Sequence, residues 1–577
     1  MFRKDKMKDI DPEDIFLDSS NLSSFDKDQF QGKVTHKISK TALFSLASLF
    51  FLTAIIILIK IADLQIIHGK EYAQKSINNT LNSKIIFTKR GVIYDRFGKE
   101  LVWNEVMPDA PDESMVMRKY IDSYGFGHLL GFIGYPKKDK LGHWWRDNYV
   151  GKSGAELAFN DILSGENGEE LVEVDARKNI RVKNIIHPPK YGQNIKLTID
   201  ARMQKAMYRA LKKGSEAGYV AGSGIIMDVK TGEIIAMSNY PEFDSNVMTL
   251  GQDRKKILEY SRSFRKPFIN RAISAVYAPG SIVKPYVAAA ALAEKVITPQ
   301  REILSTGALV VPNPYNPKKP SRFLDWKAHG YVNLQRAIAV SSNVYFYAVG
   351  GGLLPSSGLG TLKGLGINKL VEYAKKFGFG SKTGIELWGE KTGNLPTPEW
   401  KQKVFGENWL LGDTYHSAIG QYGWLVTPIQ VVRYISAIAN SGYLLNPHIL
   451  KNKPTKKIPI GIDEDILKIV RGGMRMAVTE GTLKSLNYPD LKLGAKTGTA
   501  QVGKHNEYKN SWVVGFWPYE NPRFGFVFVL EKAPSSASYG AIQAAQNFFS
   551  WLRTYAKEYV NGNYPQEQNK NETLENK

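Results

Sequence analysis

Ser281 and Lys284 stand one helical turn apart in YAPGSIVKPYVAAAALAEK (277–295), and together they offer nucleophilic acyl transfer. A serine hydroxyl is a poor nucleophile until a base takes its proton, and a lysine of lowered pKa can do so. Pro279 and Gly280 precede the serine and an Ala-rich stretch follows. That pattern predicts Ser281 in the first turn of a helix, with Lys284 on the same face. The free backbone N–H groups of a helix start then point at the reaction centre. The spacing by itself is weak, because Ser24/Lys27 and Ser263/Lys266 repeat it. A second cluster, Ser341, Ser342 and Asn343, interrupts the apolar run AIAVSSNVYFYAVG (337–350). A helix N-cap explains it structurally. The functional reading is a polar cluster facing a cleft, in which Ser341 relays a proton between Lys284 and the leaving group and Asn343 holds the lysine and a substrate amide.

Lys-Thr-Gly occurs at 230–232, 382–384, 391–393 and 496–498. The first joins the strand-like segments SGIIMDV and EIIAMSN and reads as a hairpin turn. The second follows a helix end and the third sits in a Pro- and Gly-containing loop. Only Lys496–Thr499 lies downstream of both clusters and directly before two strong strands, NSWVVGFWP (510–518) and RFGFVFVLEK (523–532). As a strand facing the Ser281 helix, it would place Lys496 and Thr497 for a terminal carboxylate. Gly498 would admit a substrate backbone. The amides of Ser281 and Thr499 would form the oxyanion hole. A second ammonium beside Lys284 would also help keep that lysine neutral.

These residues need a scaffold. GVIYD and ELVWN alternate around a turn containing Gly98, so the pattern after about residue 83 is β-rich. Near residue 195 it changes, and ARMQKAMYRALKKG reads as an amphipathic helix ending at Gly214. Strands then open and close the remaining chain, helices fill the middle, and AIQAAQNFFSWLRTYAKEYV ends it, which indicates an α+β fold. The expected order is a cytoplasmic tail at 1–40, a transmembrane helix and its extension at 41–67, a pedestal domain at 68–195, a catalytic domain at 196–560 and a disordered polar tail at 561–577. GGGLLPSSGLGTLKGLG (350–366) follows a helix rather than a strand, so it reads as a flexible loop and not a phosphate cradle.

The run TALFSLASLFFLTAIIILI (41–59) holds no charge and has the length of a single membrane span. No small-residue cleavage site follows it, so a removed signal peptide is not expected. Lys33, Lys37 and Lys40 favour a cytoplasmic N-terminus, which places everything after the span outside. The chain of 577 residues contains no cysteine, which excludes thiol nucleophiles, zinc–thiolate sites, iron–sulfur clusters and disulfides. Its nine histidines show no ligand spacing, so no metal is expected. The net charge of +22 comes from scattered lysines without a dense basic run, so it reads first as a Lys-rich composition over solvated faces, with attraction to lipid head groups or anionic wall polymers as the alternative, and it argues against nucleic acid.

The chain resembles the class B penicillin-binding proteins, most nearly the elongation-type penicillin-binding protein 2 group. The likeness covers roughly residues 85–550. It rests on RGVIYDRFG (90–98), GKSGAELAF (151–159), LTIDARMQKA (197–206), TGEIIAMSNYPEFD (231–244), LPTPEW, GDTYHSAIGQ and AKTGTA, besides the Ser-x-x-Lys, Ser-x-Asn and Lys-Thr-Gly elements. LPTPEW and GDTYHSAIGQ look more like the elongation type than the division type. This chain departs from the family at Phe97, where Asn is usual before Gly98, and at Tyr422, where Gly is usual. Residues 102–150 are also shorter than expected for the outer pedestal lobe.

The resemblance implies a serine β-lactamase-like domain with an antiparallel sheet flanked by helices, and a D,D-transpeptidase that cross-links peptidoglycan stem peptides through a Ser281 acyl-enzyme. It implies covalent capture of β-lactams, no cofactor, and partners including a SEDS-type glycan polymerase and elongation-complex proteins. It places the chain in the cell membrane. Competing readings are a division-type transpeptidase, a D,D-carboxypeptidase or β-lactamase using Glu390 in a Glu-x-x-x-Asn pattern with Asn394, and a non-catalytic β-lactam sensor or scaffold. A bifunctional enzyme with a glycosyltransferase domain does not fit in the space before the catalytic domain.

Overall fold

The computed structural model describes residues 39–73, 81–108, 110, 112–174, 180–313, 316, 318–503 and 505–565. Most of the two predicted tails therefore lies outside the described residues. The chain divides into two units, 1–82 with 171–183 and 83–170 with 184–577.

In the first unit, helix α1 (Lys40–Ala62) carries the apolar run and continues through a wider turn, Asp63–Ile67. None of its side chains is buried, and its 23 residues extend about 35 Å at 1.5 Å per residue. Among the described residues it is the one helix long and apolar enough to cross a membrane.

The second unit begins with the predicted hairpin, β1 (Ile93–Tyr94) against β2 (Glu100–Val106). Gly98 takes φ +85° in the turn. Asp95 Oδ1 accepts from the N–H groups of Phe97 and Lys99, so the turn closes through Asp95 whatever occupies position 97. Strands β3 (Val116–Tyr120) and β4 (Ile195–Lys196) complete a four-stranded sheet in the order β4-β1-β2-β3, with only the β4–β1 pair parallel. Beneath it Glu156 is fully buried between two guanidiniums: Arg90 Nε donates to Oε2 at 2.9 Å and Arg118 Nε to Oε1 at 2.7 Å. Burial alone would raise the Glu156 carboxyl, but the two arginines hold it below its ordinary value. Thus RGVIYD and GAEL, distant in sequence, meet as one ion cluster.

Helix α2 (Ala201–Glu216) starts at the N-cap Asp200 and runs two residues beyond Gly214. Strands β5 (Ala221–Asp228), β6 (Ile234–Tyr240), β7 (Gly494–Val502), β8 (Tyr508–Trp517) and β9 (Phe524–Pro534) form an antiparallel sheet in the order β6-β5-β9-β8-β7. Lys230–Gly232 is the β5–β6 turn, with Asp228 Oδ1 accepting from the N–H groups of Lys230 and Thr231. Period-2 alternation splits the two faces of the sheet. Phe524, Phe526 and Phe528 pack with α2 and the closing helix α8 (Ala541–Tyr555), while Val527 and Val529 belong to the opposite core. That second core is built on α3 (Lys284–Ala293), whose small Ala288–Ala291 side chains are completely buried. Around it lie α4 (Leu334–Val340), α5 (Asn343–Gly351), α6 (Pro428–Ala439) and α7 (Glu464–Thr479). The loop after α5 is pinned by paired hydrogen bonds between Leu353 and Leu362. Tyr564, within the predicted C-terminal tail, lies 3.9 Å from the Arg96 guanidinium and bonds Asp228.

Candidate active site

Ser281 sits in a 3-10 turn, Gly280–Val283, that runs directly into α3, as Pro279-Gly280 and the alanines predict. The turn is wedged from two sides. Gly280 has φ +56°, and a Cβ there would lie 2.6 Å from Thr499 O. Gly420, in the GDTYHSAIGQ segment, has φ +76°, and a Cβ there would lie 2.3 Å from Gly280 O. Gly280 N–H donates to Gly420 O at 3.0 Å. The Ser281 turn therefore needs glycine at both positions. Trp512 Nε1 donates to Ala278 O at 3.1 Å and Tyr434 O–H to Ile282 O, which anchors both ends of the turn.

The Ser341-Ser342-Asn343 cluster is a corner between two helices. Ser341 ends α4 in the left-handed region (φ +60°), and Ser342 caps α5 by accepting from Tyr345 N–H. The N-cap reading holds for Ser342, while Ser341 and Asn343 turn toward Lys284. The Lys284 Nζ donates to Asn343 Oδ1 at 2.7 Å, to Ser341 O at 2.8 Å and to Ser341 Oγ at 3.3 Å. Lys496 Nζ donates to the same Ser341 Oγ at 2.8 Å and to Thr497 O at 2.9 Å.

Both lysines are fully buried. Burial pushes the Lys284 ammonium down to about 7, while the Asp325 carboxylate pulls the other way. Lys496 is pushed well below the ordinary lysine value, first by burial and then by Lys284. Desolvation, rather than the second ammonium predicted from sequence, is what favours the neutral form of Lys284.

Strand β7 is the edge of the sheet, and its alternation sorts the Lys-Thr-Gly-Thr run. Thr497, Thr499 and Gln501 line a cavity of about 930 Å³ that also holds Ser281, Ser341 and Asn343. Gly498 faces the Ser281 turn instead: a Cβ would lie 2.7 Å from Ile282 Cγ2 and 2.9 Å from Pro279 O. The close approach seen at Gly498 is that of the Ser281 turn itself. Tyr422 also lines the cavity, at φ +59°, with its ring 6.0 Å from Trp400 and 5.8 Å from Trp409. Tyr422 is thus part of an aromatic rim with Trp400 and Trp409.

The other Lys-Thr-Gly sites stay apart from this constellation. Glu390 is buried and spent on its own loop, accepting from Thr383 N–H and Oγ at 2.6 Å each and from Gly384 N–H at 3.2 Å. Asn394 Nδ2 donates to Gly423 O at 2.6 Å. Neither side chain lines the Ser281 cavity. One residue of the site went unread in the sequence. Asp325, in FLDWKAHG, has a fully buried side chain and accepts at Oδ2 from Ser342 Oγ (2.9 Å), Val344 N–H (3.0 Å) and Ser305 Oγ (3.2 Å). An aspartate between two exposed residues, Leu324 and Trp326, carries no local signal of that.

The arrangement is a half-buried serine at the start of the helix that carries a fully buried lysine, with a second serine bridging that lysine and another from the edge strand. Residues 222–552 match the family described as the penicillin binding protein transpeptidase domain, and residues 107–197 match the penicillin-binding protein dimerisation domain. The peptidoglycan D,D-transpeptidase MrdA of Haemophilus influenzae is 31% identical over 494 residues, which cover 78% of this chain and 72% of that protein. The structure of Pseudomonas aeruginosa PBP2 in complex with WCK 5153 is 28% identical with a TM-score of 0.65, covering 82% of this chain and 97% of that one. A chain from a structure of a peptidoglycan synthase complex that coordinates polymerization and crosslinking is 25% identical with a TM-score of 0.68, covering 88% of this chain and 97% of that one. With over half its length matched by the catalytic domain and a dimerisation domain ahead of it, the chain belongs to the penicillin-binding protein transpeptidase family, in its class B form.

Proposed function

We propose that this chain is a peptidoglycan D,D-transpeptidase of the elongation type, and that its chemistry runs through Ser281, Lys284, Ser341, Asn343 and Lys496. The observation that carries the reading is the convergence of two buried lysines on Ser341 Oγ next to the Ser281 turn. Neutral Lys284 takes the Ser281 proton as Oγ attacks the carbonyl of the penultimate D-Ala. The backbone N–H groups of Ser281 and Thr499 hold the oxyanion. As the C–N bond breaks, the proton passes from Lys284 through Ser341 Oγ to the departing D-Ala amine, with Lys496 holding Ser341 in line. An acceptor amine from a neighbouring strand then attacks the ester carbonyl, and Ser281 leaves with the proton returned through the same groups. Thr497 and Thr499, on the cavity face of β7, bind the terminal carboxylate. A β-lactam acylates Ser281 by the same first step.

The β-lactamase alternative nominates Glu390 to activate water, and that carboxylate is committed to Thr383 and Gly384. Helix α1 serves as the anchor, with the N-terminus cytoplasmic and residues after the span outside. The peptidoglycan synthase complex named above, which coordinates polymerization and crosslinking, supports assembly with a glycan polymerase, for which the resemblance implies the SEDS type, along with elongation-complex proteins. No metal or organic cofactor takes part in this scheme.

The test is labelling of the detergent-solubilised full chain by a fluorescent penicillin, followed over time, with Ser281→Ala as control. Stable label lost in Ser281→Ala supports the transpeptidase. Label that decays within minutes moves the assignment to a hydrolase, and no label on folded protein sinks the mechanism.

A further inference from the structure

The segment 324–326 lies across the corner that carries Ser341. Leu324 O accepts from Asn343 Nδ2 at 3.3 Å and from Tyr347 O–H at 3.2 Å. Trp326 Nε1 donates to Val340 O at 3.2 Å. Between these two ties, Asp325 Oδ2 receives the Ser305, Ser342 and Val344 donors, and Oδ1 receives Trp326 N–H at 2.9 Å. The strap therefore grips the corner on both sides of Ser341. That grip has a purpose, because Ser341 takes a left-handed backbone (φ +60°) that a residue with a Cβ adopts only when its surroundings impose it. If the corner relaxed, Ser341 Oγ would leave both lysines.

We propose that Asp325 is a positioning residue for acyl transfer: its carboxylate clamps the 341–343 corner so that Ser341 Oγ bridges Lys284 and Lys496, and its charge offsets the ammonium of Lys284. This rests on the transpeptidase reading above and assigns to it a group outside the three motif elements. The titratable groups coupled to Lys284 are Asp325 from the strap, which acts on it, and His329 just beyond the strap and Lys496 from β7, on both of which its charge acts. Of these only Asp325 is anionic. Burial lowers Lys284 and Asp325 raises it. A carboxylate so placed keeps the lysine close to neutrality, able both to take and to return a proton. Burial alone would raise Asp325, but the N–H groups at the start of α5, Lys284 and Ser342 hold its carboxyl below the ordinary value.

The experiment measures the rate of acylation by a fluorescent penicillin on the full detergent-solubilised chain, from about pH 5 to about pH 9. Wild type is compared with Asp325→Asn and Ser342→Ala, and melting curves report folding. Asp325→Asn removes the charge with little change of shape. The ascending limb of its profile should move to lower pH by roughly one unit. Its plateau should fall about tenfold as charge-assisted bonds are lost. Ser342→Ala keeps the charge, so its limb should stay in place while its plateau falls. A folded Asp325→Asn with the limb and plateau of wild type overturns the proposal. Should Asp325→Asn fail to fold, Ser342→Ala and Ser305→Ala decide, and unchanged plateaus in both overturn the clamp. A merely structural role lowers the amount of active protein without moving the limb, which also overturns the charge part of the proposal. Failure of wild type to label at any pH removes the underlying transpeptidase reading, and it is seen before any variant is compared.

Discussion

Lys284 and Lys496 donate to one oxygen, Ser341 Oγ, at 3.3 and 2.8 Å. Two fully protonated ammonium groups do not share a buried acceptor without cost, so the pair favours states with a neutral lysine. Their mutual repulsion falls on Lys496, while the neutral Lys284 that the acyl-transfer scheme uses is favoured by burial.

The pH dependence of acylation follows. Lys284 is held at about 7 by burial, so its neutral fraction falls as pH drops through that value. The rate constant for penicillin labelling should rise through an ascending limb centred near neutrality, with a slope of about tenfold per pH unit on the acid side. A limb near the ordinary lysine value of 10.5 would contradict the assignment of Lys284 as base. The same shift affects stability. Between about 7 and 10.5 the unfolded chain binds the proton that the folded site releases, so this lysine's contribution is greatest above 10.5 and is lost as pH falls toward 7.

Ser341→Ala removes the shared oxygen but leaves Ser281, Lys284 and the fold. Turnover with a stem-peptide donor should drop by about 100-fold or more, as for loss of a proton-transfer group. Melting temperature should change little. Unimpaired turnover in the folded variant would take Ser341 out of the relay.

Gly420→Ala tests the support of the nucleophile turn. The added Cβ would stand 2.3 Å from Gly280 O, on a residue with φ +76°. A loss of at least about 1–2 kcal/mol is expected from the backbone conformation alone. Displacement of the Ser281 turn should slow acylation even at temperatures where the variant is folded. Thermal melts and labelling rates on one preparation separate the two effects.

Glu156→Gln leaves Arg90 and Arg118 buried, side chains 1% exposed each, without their counter-ion. Breaking a buried ion cluster in this way costs about 3–5 kcal/mol. The cluster lies in the region around the four-stranded sheet, so the fraction still folded should acylate at the wild-type rate. A variant with unchanged denaturant midpoint would show that the cluster contributes nothing to stability.

Glu390→Gln distinguishes transferase from hydrolase. If Glu390 only closes its loop through Thr383 and Gly384, the lifetime of the penicilloyl label should match wild type. A large increase in that lifetime would reveal a deacylating carboxylate.

What local sequence determined here is what depends on neighbours in the chain. The apolar run of α1, the Asp95–Gly98 turn, the Lys230–Gly232 hairpin and the start of α3 after Pro279-Gly280 are set by hydropathy, glycine and proline within a few residues. The motif residues Ser281, Lys284, Ser341, Asn343 and Lys496 were legible for a related reason, since their types and order match a known family. Tertiary structure alone decided how they meet. Lys284 reaches Ser341 across 57 positions and Lys496 reaches it across 155, so no local pattern reports those bonds. The depression of Lys284 is a property of the core packed around α3, because desolvation depends on every neighbour at once. The same reason hid Asp325. Its immediate sequence neighbours, Leu324 and Trp326, are exposed, and only the strap's placement over Ser305, Ser342 and Val344 turns a common surface residue into a buried carboxylate beside the Ser341 corner.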